Sequence, residues 1–114
     1  MATSEDTYIH FLGSGALDYG WWGVDEWLGD EKSDWRIRLI ERDDDRNPVG
    51  LYTLTHKKIM SAVYKIARTV VPYAEGETRK QCKAFLKDVD DADFDAGTAD
   101  NVIQVALFGE VRYS

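Results

Sequence analysis

One cysteine, two histidines and two prolines are all that the 114 residues hold of these types, and each scarcity narrows what the chain can be. Cys82 alone allows no internal disulfide, and a zinc site would need most of its ligands from elsewhere. With only His10 and His56, histidine-centred catalysis has few starting points. No apolar run approaches the roughly 20 residues that cross a bilayer. The start, MATSEDTY, is acidic and lacks the basic and apolar regions of a signal peptide. The expected location is therefore cytoplasmic. The glycine pair of Gly13-Ser14-Gly15 follows no strand and lacks the third glycine of a dinucleotide fingerprint, so it reads as a turn.

Aromatics and charge are plentiful. Four Trp, six Tyr and four Phe are many for this length, and most of these rings are expected in the core, because they bury large areas in a small domain. The formal net charge of −7 conceals a division. Residues 1–53 carry twelve acids and five bases, residues 54–87 two acids and eight bases, and residues 88–114 seven acids and one base. One reading packs the acidic segments beside the basic one. The other leaves a basic surface for nucleic acid, or an acidic surface for a basic partner.

The strongest periodicity is THKKIMSAVYKIARTVV, residues 55–71. Ile59, Val63, Ile66 and Val70 form one helical row; Met60, Tyr64, Ala67 and Val71 form the next. Thr55 suits the N-cap and Pro72 the stop. Before it, residues 4–12 read as a helix capped by Ser4, with Tyr8, Phe11 and Leu12 inward. Residues 19–28 read as a strand with Trp22, Val24 and Leu28 on one side and Trp21 and Trp27 on the other. Gly29–Ser33 is a turn. Trp35, Ile37 and Leu39 then alternate with Arg36, Arg38 and Ile40, a half-buried strand with a basic outer face. Residues 43–48 are a loop, and Val49–Leu54 is a third strand. Glu77–Lys87 is a helix with Cys82, Phe85 and Leu86 inward. A last helix through Phe108 is capped by Thr98 or Asp95 and ended by Gly109. The β-branched Val102, Ile103 and Val105 keep strand open as its alternative. Glu110–Tyr113 returns as an edge strand. The expected fold is one α+β domain, a three-stranded antiparallel meander packed with three to four α-helices, mainly on one face.

Several residues suggest sites. Asp91, Asp93 and Asp95 have the opening spacing of a calcium loop, but Ala96 and Val102 stand where its glycine and closing glutamate belong, so a solvated loop is favoured and no metal or cofactor is expected. His56, beside Lys57 and Lys58 at a helix start, invites an anion; an exposed helix-start histidine is the simpler reading. His10 has no nucleophile to serve. Cys82 reads as a buried thiol. Trp21 and Trp27 are candidates for partner-binding aromatics. Asp43, Asp44, Asp45, Asp88, Asp90, Asp91 and Asp93 are candidates for acidic contacts, including mimicry of spaced phosphates. Lys57, Lys58, Lys65, Arg68, Arg79, Lys80 and Lys83 make the alternative, a nucleic-acid surface sensitive to salt.

The segments FLGSGALDYGWW, LTHKKIM…KIAR and DADFDAGTADNVIQVALFGEVRY together resemble a group of small acidic, uncharacterised proteins of actinobacteria and their phages. The resemblance covers most of the chain. It implies no activity, cofactor or catalytic residue, and it favours an accessory or phage–host role. The leading expectation is a non-enzymatic protein–protein interaction module, such as a phage- or mobile-element-encoded inhibitor with a basic protein partner. Nucleic-acid binding by residues 57–87 is second and a small enzyme last. A homo-oligomer could set the basic middle of one copy against the acidic end of another.

Overall fold

Alternation of apolar and polar residues puts Trp35, Ile37 and Leu39 in the interior and Arg36, Arg38 and Ile40 outside, and the sheet is built around that strand. A computed structural model describes residues 2–29 and 32–114 of the chain. Three antiparallel strands, β1 (Trp22–Trp27), β2 (Arg36–Arg42) and β3 (Pro48–Thr55), lie in the order β1-β2-β3. Four helices complete the α+β fold: α1 (Ser4–Phe11), α2 (His56–Arg68), α3 (Gly76–Lys87) and α4 (Ala96–Phe108). Register sets Ile37 opposite Leu54 and Leu39 opposite Tyr52, so β2 and β3 turn one apolar face to the helices.

Helix boundaries follow the caps. Thr3, one residue before the expected Ser4, caps α1: its hydroxyl accepts the Asp6 N–H, and the Asp6 carboxylate accepts the Thr3 N–H at 2.8 Å. Thr55 caps α2 as expected, accepting the Lys58 N–H. The end of α2 differs from expectation. The helix stops at Arg68, and Val70 lies outside it, 80% exposed. The buried stripe is Ile59, Ala62, Val63, Ile66 and Ala67. Proline two residues ahead excludes helical geometry only at Val71, so the early stop is made by the extended Thr69, whose hydroxyl donates back to the Lys65 carbonyl.

α4 is a helix, which closes the strand alternative. Asp95 is its N-cap, in a reciprocal box with Thr98, and Gly109 turns left-handed at φ 77 to end it. Residues 98–105 are buried without interruption, as befits a helix wrapped on all sides. α2 packs against both α3 and α4, and α4 also meets β3. Phe11, Phe85 and Phe94 interlock in the core with ring centroids 4.5–5.8 Å apart.

Two expectations about strands fail. The Trp22–Val24–Leu28 alternation is interrupted by a bulge between Val24 and Glu26, which shifts the faces that follow and sets Trp27 opposite Ile37 instead of on the other side; Val24, paired with the buried Leu39, is 48% exposed on the outer strand of the sheet. Glu110–Tyr113 forms no strand; its polar groups are taken by side chains of the core instead. Asp30 and Glu31 of the expected turn lie outside the described residues.

Candidate functional site

Among the described residues two carboxylates are buried, Glu41 and Asp100; neither was expected inside, although Glu41 continues the inward alternation of Trp35, Ile37 and Leu39. Glu41 is on the inward side of β2. Its oxygens accept the Tyr52 hydroxyl at 2.9 Å and the Tyr113 hydroxyl at 2.6 Å, and the Arg112 guanidinium lies 3.3 Å away. Burial, then Glu41 itself, pushes the Tyr113 hydroxyl up to about 12. Asp100 is on α4. One of its oxygens accepts both indole N–H groups, Trp22 at 2.6 Å and Trp21 at 3.0 Å; the other accepts the Gln104 amide at 2.7 Å. Burial raises the Asp100 pKa, and these three donors oppose the shift. Gln104 is saturated. It also donates to the Tyr113 carbonyl, and its oxygen accepts the N–H groups of Arg112 and Tyr113. Thus the backbone of Arg112–Tyr113, expected to pair with the sheet edge, is held by one side chain of α4.

At the opposite end of β2, Trp35 donates to the Ser4 carbonyl at 2.8 Å, and the buried Thr7 hydroxyl lies 3.0 Å from His56 Nδ1. His56 therefore turns toward α1. Burial lowers its pKa, and Asp6 works weakly against this. His10 packs edge-on against Phe85 and Phe94. Cys82 is fully buried, and burial pushes its thiol up to about 12. Among the described residues, no group of three His, Cys, Asp or Glu side chains is placed to hold a metal ion.

The expected partner-binding residues separate by location. Trp27 lies opposite Ile37, on the same face as Trp22 and not on the other side as expected; it is 46% exposed with its ring 6.1 Å from that of Tyr8, and Val24 is 48% exposed on the same strand. Trp21 is half-buried between the rings of Tyr19 and Tyr113, stacked at 4.7 and 5.6 Å, and its N–H belongs to Asp100. Asp43 is engaged in the β2–β3 turn, accepting the Asp45 and Asn47 N–H groups, while Asp44 and Asp45 are exposed. Asp88 accepts the Asp90 N–H and Asp95 caps α4; Asp90, Asp91 and Asp93 are exposed.

The basic middle segment is not neutralised by ion pairing. Among the described residues, no carboxylate lies within 4.0 Å of Lys57, Lys58, Lys65, Arg68, Arg79, Lys80 or Lys83. Lys57, Lys58 and Lys65 line a groove of about 360 Å³ between α2 and α4. Lys58 and Lys65 donate to the Thr53 and Gly109 carbonyls. Arg68 lies over the Tyr64 ring, 4.8 Å from its centre, Arg79 is partly buried, and Lys80 and Lys83 are exposed.

Among the described residues, no helix is long and apolar enough to cross a membrane. No protein-family model, no curated protein and no solved structure matches this chain.

Proposed function

We propose that this chain is a non-enzymatic protein-binding module that uses β1, one of the two edge strands of its sheet. The observation that carries the reading is β1 itself. Only its first residue is buried, and Val24, Asp25, Glu26 and Trp27 are all exposed. An edge strand offers backbone groups to an extended partner, and an exposed tryptophan beside it is an anchor of the kind that dominates binding energy. Asp25 and Glu26, both near Arg38, still leave the edge acidic. A basic, extended segment of another protein suits it. A second copy suits it less, because antiparallel self-pairing would set these carboxylates against their equivalents. The finer version is a phage- or mobile-element-encoded inhibitor that occludes its target through this acidic and aromatic edge. The test compares tagged wild type with Trp27→Ala and Val24→Lys in pull-downs from nuclease-treated host lysate. One stoichiometric protein, retained by wild type and lost by both variants, is expected. Capture that survives both substitutions would overturn the edge as the site.

A second reading follows from the lysines of the α2–α4 groove, which among the described residues have no carboxylate within 4.0 Å and suit phosphate oxygens. It predicts binding of RNA or DNA that weakens steeply with salt. The absence of any binding at low salt would remove it.

A further inference from the structure

Asp100 is a buried carboxyl group without a counter-charge. It is 3% exposed, its three donors are neutral indole and amide groups, and among the described residues no cation lies within 4.0 Å. A buried carboxylate in that condition costs stability unless something positive approaches it. The space for such a group is present. Asp100 borders a cavity of about 140 Å³, enough for roughly four or five water molecules at their liquid volume or for the tip of a basic side chain.

The polar lining of this cavity is rich in acceptors. Asn101 is 7% exposed and borders it. Its amide nitrogen donates to the Gly97 carbonyl at 2.7 Å, which fixes the orientation of the amide, and its Oδ1 is buried with no hydrogen-bond partner. A buried acceptor in that state is expensive and needs a donor. Glu75 and Tyr19 also line the cavity, and a Cβ placed on Gly97 would have Tyr19 Oη at 3.7 Å and Glu75 Oε1 at 3.8 Å. The helix start does not convert this into an anion site, because the Asp95 carboxylate already takes the Thr98 N–H at 2.7 Å. We infer that the cavity bordered by Glu75, Asp100 and Asn101 binds a small organic cation with N–H donors, an alkylammonium or guanidinium group. The cation supplies the missing donor to Asn101 and the missing positive charge beside Asp100, with Glu75 at the entrance. Gly97 keeps the space open where a methyl group would enter it. This site is separate from the β1 edge and stands or falls independently of it.

The experiment titrates the full chain, labelled with ¹⁵N, and follows the four indole N–H resonances. The probes are n-propylammonium and methylguanidinium, with tetramethylammonium and 1-propanol as controls that lack N–H donors or charge. Saturable shifts of the Trp21 and Trp22 signals are expected with the first two probes only, leaving those of Trp27 and Trp35 in place. Glu75→Gln should weaken binding roughly fivefold, as loss of one partly exposed charge contact would. Gly97→Ala is the second variant. Alanine fits there in ordinary contact and favours a helix, so the protein should be at least as stable while binding falls. Acetylated, amidated lysine and arginine then distinguish the source. Binding only of these forms identifies the ligand as a partner's side chain, whereas equal binding of the free amines identifies a small metabolite. No saturable shift, equal response to the controls, or full binding by both variants would overturn the site and leave the cavity to water.

Discussion

A single histidine shows how burial converts a surface-looking residue into a pH-sensitive one. Next to Lys57 and Lys58 in the sequence, His56 reads as exposed, yet the fold lays its Nδ1 3.0 Å from the buried Thr7 hydroxyl. Desolvation disfavours the imidazolium, so the folded pKa lies below the ordinary 6.5. The unfolded chain therefore takes up the proton first. Stability is full above pH 6.5 and is lost as pH falls from there toward the folded pKa. Asp100 acts with the opposite sign: its raised pKa means stability is gained as pH falls toward 3.8. The difference between wild type and His56→Gln isolates the histidine. Thermal melts at pH 7.5 and pH 5 should show a smaller loss of Tm in the variant, and equal losses would contradict this account. Periodicity could place His56 at a helix start. Its neighbour across 49 positions of sequence was beyond any local pattern.

At the scale of the element, α2 shows what a hydrophobic row can and cannot say. Ile59, Val63, Ile66 and Val70 share one spacing, but the helix ends before the fourth. Ile66 is 1% exposed and Val70 is 80% exposed. Ile66→Ala should cost about 2–5 kcal/mol, as truncation in a packed core does, whereas Val70→Ala should change little. Chemical denaturation of the two variants checks this, and similar costs would mean the helix continues to Val71 in solution. α4 shows the reverse case. Its β-branched residues weigh toward strand, but Asp95, Thr98 and Gly109 make a matched pair of ends, and such ends compete successfully with modest propensities. On β1, alternation fails after Val24, because a bulge adds one residue and shifts the faces that follow, so that Trp27 lies opposite Ile37.

For the molecule as a whole, residues 110–114 are a clasp rather than a tail. They supply Arg112 and Tyr113 to Glu41 and two N–H groups to the buried Gln104 oxygen. Removing them leaves a buried carboxylate and a buried amide short of partners, and each such loss costs about 1–3 kcal/mol or more. Deletion of residues 110–114 should therefore lower stability by several kcal/mol, enough to unfold a marginal domain. Gln104→Glu in the intact chain should be nearly as damaging, because it sets a second carboxylate where Asp100 Oδ2 now accepts an amide at 2.7 Å. Urea unfolding followed by tryptophan fluorescence would measure both; a Gln104→Glu protein as stable as wild type would mean the clasp is dispensable.

The meander and the helices α1, α2 and α3 were determined by sequence, because periods of two and near 3.6 are properties of the backbone and hold wherever the chain ends up; the choice of helix for residues 96–108 and the exposure of Val70 were not. The basic middle and acidic ends were equally legible, being sums over residues. Only the tertiary structure decided that Trp27 is exposed while Trp21 serves Asp100, that among the described residues no carboxylate lies within 4.0 Å of the lysines of α2, and that Glu41, Asp100 and Gln104 lie in the interior. A polar side chain survives burial only through partners, and here Glu41 and Asp100 draw most of theirs from 71 to 79 positions away. Contacts at that separation leave no local trace, so the partners of Asp100 and Gln104 could not be foreseen, whereas Trp27 was a candidate from its residue type alone.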